Sequence, residues 1–226
     1  MAACVGEVMC AYEGVLLDLV RVIVDTARYH YLAWKALADE LGIPFTPRDN
    51  ARLKGVSRTA SFDIILELGG RAMSEEGKEA NCQKKNDLYV SYIKGLTEDD
   101  LLPGVRDFLT DARARGYKIA LGSASKNSPL ILGRLGIANL FDALVDGTKA
   151  SRAKPDPEVF LRGAEELHLP AGACVVFEDA VAGVKAAHNA GMKAVGIGDP
   201  AVLSQADLVL PGFAGVRAAD VLARLS

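Results

Sequence analysis

The chain has 226 residues, half of them hydrophobic, with 26 basic and 29 acidic side chains and a formal net charge of −3. This is an ordinary globular composition, and the length allows one large domain or a core domain with a smaller companion. No basic block suggests a nucleic-acid surface, no Lys-rich amphipathic stretch suggests a membrane surface, and no apolar run reaches membrane-spanning length.

The opening residues MAACVGEVMCAYE are mildly apolar, but Glu7 interrupts them and no basic segment precedes them, which argues against a secretory signal. Residues 14–24 (GVLLDLVRVIV) form a Val- and Leu-rich run, expected to be a buried strand that stops near Asp18. Asp25 and Thr26 are N-cap residue types. They open a helix in which His30, Trp34, Leu37 and Leu41 recur at helical spacing, and Gly42 with Pro44 ends it. From there to about residue 99 the pattern stays helical and polar, through SFDIILELGG and NCQKKNDLYVSYIKG, with no strand. After Pro103-Gly104 the helix-like VRDFLTDARARG leads into the strand YKIALGSAS, and SPLILGRLG leads into a short strand at FDALVDG. The helix PDPEVFLRGAEELHL, the strand ACVVFED, the helix AVAGVKAAHNAG and the strands MKAVGIG and ADLVLPG complete the chain.

Strands and helices alternating at short intervals predict an α/β fold, a doubly wound parallel-sheet (Rossmann-like) core covered on both faces. The core is expected to take residues 14–26 and 99–226, with 27–98 inserted as an α-helical cap. The cysteines Cys4, Cys10, Cys82 and Cys174 lack metal-type spacing and read as thiols of a reducing, cytoplasmic setting.

Three polar clusters share one structural address. Asp18 follows the first strand, Ser123 follows KIALG, and Glu178-Asp179 follows ACVVF. In an open parallel sheet, ligands bind beyond the carboxyl ends of the strands where the winding reverses. Carboxylates at neighbouring strand ends suit Mg²⁺, a hard ion held by one or two carboxylates plus substrate phosphate. Each cluster also has a bland reading. Glu178-Asp179, or Ser123 and Ser125, can simply cap the helices that follow. Lys154, before Pro155 at a helix start, would ordinarily be solvated and opposed to the helix dipole.

The stretches VDTARYHYLAWKALADELGI, LKGVSR, KKNDLYV, LPGV, KIALGSASKN, AKPDPEVF and FEDAVAGVKAAHNAGM carry a resemblance. The chain resembles the haloacid dehalogenase superfamily, and within it the β-phosphoglucomutase family. The resemblance implies that Asp18 attacks a phosphoryl group and forms an aspartyl phosphate, splitting one transfer into two. Ser123 and Lys154 would hold the non-bridging oxygens. Mg²⁺ would sit on Asp18, Glu178, Asp179 and the main-chain carbonyl of Val20. Arg58, whose fork matches phosphate geometry, would grip the distal phosphate of a sugar phosphate with Ser125, Lys126 and Asn127. Gly55 and Val56 would shape the sugar pocket, and Thr26, His30, Trp34 and Lys85 would line the cap–core cleft. Taken alone, His30 and Trp34 read as helix packing, Lys85 as a solvated face and Arg58 as a surface arginine.

One motif departs from the family. Its first motif reads Asp-x-Asp-Gly, and this chain has Asp18-Leu19-Val20-Arg21. The second aspartate is the family's general acid/base, a group whose loss typically costs about 10²–10⁴-fold. Arg21 replaces a glycine, and would strain the turn if that position has positive φ. The expected function is therefore an impaired Mg²⁺-dependent sugar phosphomutase, acting as a monomer on a small sugar phosphate. The alternatives are a small-molecule phosphatase or other hydrolase of the superfamily, or an inactive homologue that binds sugar phosphate.

Overall fold

Gly14–Leu17, four residues buried on both faces, form the strand β1 at the middle of the sheet. The computed structural model describes residues 12–53 and 56–225, so Cys4, Cys10, most of the opening segment and Gly55 lie outside the described residues. Further strands are β2 (Lys118–Gly122), β3 (Ala143–Val145), β4 (Cys174–Glu178), β5 (Lys193–Ile197) and β6 (Leu208–Leu210). They pair in parallel in the order β3-β2-β1-β4-β5-β6. The chain thus winds outward from β1 through β2 and β3, then reverses at the β1/β4 boundary.

Between residues 27 and 98, where the sequence suggested a cap, lie the helices α1 (Ala27–Glu40), α2 (Pro47–Asn50), α3 (Arg58–Leu68) and α4 (Glu75–Ile93). The remaining helices are α5 (Val105–Ala114), α6 (Ser128–Arg134), α7 (Glu158–Glu166), α8 (Val181–Asn189) and α9 (Ala218–Ala223). Between residues 27 and 98 the described residues hold no strand, as the polar helical pattern implied. Among the described residues, buried apolar side chains fall into three groups. Leu17, Ile119, Val175 and Phe177 pack with Phe108 and Phe213 on one side of the sheet, and Leu16, Ala120, Val176 and Ala194 pack with Val159, Phe160 and Val184 on the other. Trp34, Leu37, Phe45, Phe62 and Ile65 make a third core within the cap region. Ala33, Tyr89, Ile93 and Leu96 belong to the first group, so α1 and α4 are continuous with the sheet's own packing.

The run at 14–24 is strand only as far as Leu17. Val22, Ile23 and Val24 are nearly fully buried in an irregular turn, tied by bridges from Val24 to Val20 and to Leu101 and by the Leu102 N–H donating to the Ile23 carbonyl at 2.9 Å. The chain segments that lead into and out of residues 27–98 therefore run side by side. At α1, Thr26 stands at the N-cap but its hydroxyl caps nothing. Asp25 Oδ1 instead accepts from the Ala27 N–H at 3.1 Å. Among the described residues, no helix is long and apolar enough to cross a membrane.

Candidate active site

Parallel register brings the three strand ends level. Leu17 lies opposite Leu121 of β2 and Phe177 of β4, so the next residues, Asp18, Gly122 and Glu178, share one edge of the sheet at the winding reversal. Asp18 is anchored at its backbone by donating to the Phe177 carbonyl at 3.0 Å. Its Oδ2 accepts from the Val20 N–H at 3.0 Å. Its Oδ1 accepts from Lys154 Nζ at 2.6 Å.

Lys154 is the hub of the group. Its ammonium also donates to Glu178 Oε2 at 2.7 Å and to the Gly122 carbonyl at 3.2 Å, and lies 4.7 Å above the Phe160 ring. The solvated reading of this lysine therefore fails, because its side chain is only 11% exposed. It precedes α7 by a loop that Glu158 organises. One carboxylate oxygen of Glu158 accepts from Ser151 and Arg152 N–H groups at 3.0 and 2.8 Å, and the other from Arg162 Nε at 3.1 Å. These hydrogen bonds, the Arg152 N–H foremost, hold the Glu158 carboxyl down at about 2.

Glu178 and Asp179 are not helix caps either, since the N-cap of α8 is Ala180. Glu178 Oε1 accepts from the Asp179 and Ala180 N–H groups at 3.0 and 3.1 Å, which turns the carboxylate back over its own strand end. It can lie there because residue 183 is glycine. A Cβ at Gly183 would come within 1.9 Å of Glu178 Oε2. Burial raises the Glu178 carboxyl well above the usual range, against the pull of Lys154, and neighbouring Asp18 and Asp179 raise it further. Burial and Asp18 likewise raise Asp179, with Arg21 and Lys154 pulling the other way. One ammonium thus pairs with two of the three carboxylates, Asp18 and Glu178, and Asp179 stands beside them. Asp18, Glu178 and Asp179 offer oxygens within 4.8 Å of one another, an all-oxygen set that fits a hard divalent cation.

Ser123 is buried at the end of β2, where its N–H donates to the Val145 carbonyl at 3.0 Å. Ser123 Oγ accepts from the Ser125 N–H and Ser125 Oγ from the Asn127 N–H, each at 3.3 Å. These serines shape the loop and do not cap α6, whose N-cap is Asn127. Lys126 is exposed and Val56 partly buried.

A second polar group centres on Lys85 of α4, which the structure buries. Its Nζ lies 2.8 Å from His30 Nδ1 and 4.7 and 4.9 Å above the Trp34 and Tyr89 rings. Burial, with some repulsion from Arg58, depresses Lys85 to about 7. Burial and the Lys85 and Arg58 cations hold His30 well below its ordinary value. The imidazole is then neutral, with Nδ1 the acceptor. Trp34 packs in the third core against Phe62, as the helix-packing reading of the residue expects. The Thr26 and Tyr89 hydroxyls are buried and neither completes a hydrogen bond. Burial pushes Tyr89 up to about 12.

Arg58 Nη2 and Asn127 Nδ2 meet on one atom, Asn86 Oδ1, at 2.9 and 3.0 Å. Asn86 lies in the stretch KKNDLYV but was not singled out by the sequence, because an amide in a charge run has no pattern of its own. Gly183 and Glu158 were equally silent. Arg21 is exposed at φ +60°, the left-handed region that its replacement of glycine warned of.

A doubly wound sheet with an acidic group at its switch point and a helical insertion after β1 has clear relatives. The chain belongs to the haloacid dehalogenase-like hydrolases, whose family model matches residues 12–191. Within that family it is β-phosphoglucomutase-like. It is 44% identical over 204 residues to the β-phosphoglucomutase of Bacillus subtilis, covering 88% of each chain. A β-phosphoglucomutase structure from Clostridium difficile matches with a TM-score of 0.90 at 40% identity, over 95% of this chain and 97% of that one. The phosphorylated carbohydrates phosphatase of Thermotoga maritima is 30% identical over 186 residues, 81% of this chain and 83% of the relative.

Proposed function

We propose that the chain is a Mg²⁺-dependent sugar phosphomutase of the β-phosphoglucomutase type, interconverting β-D-glucose 1-phosphate and glucose 6-phosphate, and slow because residue 20 is valine. In the first half-reaction an Asp18 oxygen bonds to phosphorus as the phosphorus–oxygen bond to the sugar breaks. In the second, a sugar hydroxyl attacks the same phosphorus and releases Asp18. Ser123 and Lys154 hold the non-bridging oxygens. Asp18, Glu178, Asp179 and the Val20 carbonyl would hold Mg²⁺, which when bound offsets charge on the transferring group. Thr26, His30, Trp34, Val56 and Lys85 line the cleft, and Ser125 and Lys126 complete the distal phosphate grip.

The observation that carries this reading is the convergence of Arg58 and Asn127. They come from α3 and from the start of α6 and share no hydrogen-bond partner with the Asp18–Lys154–Glu178 group, which supports a separate place for a second phosphate. A substrate with one phosphate to remove needs only one such place. The weak point is proton transfer. The leaving sugar oxygen needs a proton and the incoming hydroxyl must lose one, and Val20 has no titratable atom for either.

The Thermotoga maritima phosphatase favours a second reading, hydrolysis, in which water attacks the aspartyl phosphate. An NMR time course of β-glucose 1-phosphate with Mg²⁺ and a trace of the bisphosphate separates the two. The mutase reading expects slow appearance of glucose 6-phosphate, faster by about 10²–10⁴-fold in the double variant Val20→Asp/Arg21→Gly. Inorganic phosphate as the main product would establish the hydrolase. No turnover in either protein would leave a sugar-phosphate-binding homologue.

A further inference from the structure

Asn86 stands at the crossing of three elements. Arg58 opens α3, Asn127 caps α6, and Asn86 lies in α4 with one side-chain atom within hydrogen-bond distance of both. The identity of that atom follows from chemistry. A guanidinium only donates, so the Asn86 atom facing Arg58 must be the carbonyl oxygen, and the Asn127 atom sharing it must be the amide nitrogen. One neutral oxygen therefore fixes the planes of two donors that come from opposite sides of the cleft. Each donor keeps hydrogens to spare. Arg58 has five N–H groups and uses one here, and the Asn127 amide has two and uses one.

We propose that Asn86 is a positioning residue. It assembles the phosphate grip of Arg58 and Asn127 across the cap–core cleft before any ligand arrives, leaving their remaining N–H groups aimed at the distal phosphate. This rests on the reading that Arg58 and Asn127 receive that phosphate. An amide suits the task better than a carboxylate. Aspartate here would pair with Arg58 and repel the incoming anion, whereas a neutral carbonyl orients the fork and leaves its charge available. The adjacent side chains are otherwise engaged, Lys85 with His30 and Asp87 with Gln83 at 2.7 Å. Without Asn86, the arginine and asparagine must lose rotamer freedom on binding, which lowers affinity for the ligand that orders them.

The test is glucose 6-phosphate binding by calorimetry, in the presence of Mg²⁺, to the full chain and to Asn86→Ala, Arg58→Ala and the double variant. Beryllium trifluoride binding at Asp18, followed by ¹⁹F NMR, serves as the control. Asn86→Ala should weaken glucose 6-phosphate on the order of tenfold, the equivalent of one or two hydrogen bonds, and leave the fluoride signal unchanged. Because Asn86 acts through Arg58, its effect should shrink markedly in the Arg58→Ala background. Additive losses, an unchanged affinity in Asn86→Ala, or loss of the fluoride complex would each overturn the positioning role. If Arg58→Ala itself leaves glucose 6-phosphate affinity intact, the distal phosphate reading fails first. Asn86→Asp should bind more weakly than Asn86→Ala, and tighter binding would contradict the argument from charge.

Discussion

Arg21 sits at φ +60° with a full side chain, a conformation that costs an L-residue about 1–2 kcal/mol. Its side chain recovers little of that. It is 44% exposed, and its ion-pair partner Asp25 lies 3.9 Å away, where an exposed pair contributes well under ~1 kcal/mol. Val20 is not among the residues at positive φ, and its N–H meets Asp18 Oδ2 as that of any non-proline residue would. Replacing Arg21 by glycine relieves the turn but gives the unfolded chain more freedom, so the two effects partly offset. Arg21→Gly is expected to stabilise the fold by about 1 kcal/mol, read as a higher urea midpoint at unchanged slope. A lower midpoint would mean that the turn holds arginine through contacts other than Asp25. The sequence showed this position clearly because one glycine of a short motif was missing. It could not show Asn86, whose importance lies in which two donors the fold brings to its oxygen.

At the level of elements, α1 and α4 place His30 against Lys85, and that pairing makes cap stability depend on pH. Lys85 titrates at about 7 in the folded chain, far below its ordinary value of 10.5. Below pH 7 the lysine is charged in both states and the full burial penalty applies. Above it the folded chain has released a proton that the unfolded chain still holds, so folding gains stability until the unfolded lysine also titrates. The stability of the native protein relative to Lys85→Met should therefore rise with pH above about 7, at up to ~1.4 kcal/mol per unit. A difference that stays flat from about pH 6 to about pH 9 would show that Lys85 keeps its proton by sharing the Trp34 and Tyr89 faces. Lys85 also shows where local pattern misleads. A lysine in a charge run reads as solvated, and only the packing of α1 against α4 buries it. The run at 14–24 misleads the other way, because Val22 to Val24 are buried without being strand, and apolar character reports burial more directly than backbone form.

Across the whole molecule, the address of the site was readable because each chemical cluster ends a strand, while the strand order that levels Asp18, Gly122 and Glu178 came only with the fold. What could not be read was the charge balance of the assembled site, which depends on distances between segments 136 and 24 residues apart. That balance leads to a prediction for the intact chain. Burial and mutual repulsion raise Glu178 and Asp179 above their ordinary values. Between the unfolded and folded titrations of these groups the folded chain holds more protons, so stability without metal falls as pH rises through that window. A divalent cation binds only the deprotonated carboxylates, and binding to the folded state alone adds stability as RT ln(1 + c/Kd) at free ion concentration c, which grows as deprotonation tightens the apparent Kd. The rise in Tm on adding millimolar Mg²⁺ should therefore be small near pH 5 and grow toward pH 8. Glu178→Gln and Asp179→Asn should each remove most of that growth while the fold persists. An equal Mg²⁺ effect at both pH values, or one that survives both substitutions, would place the ion somewhere other than the strand ends where Asp18 lies.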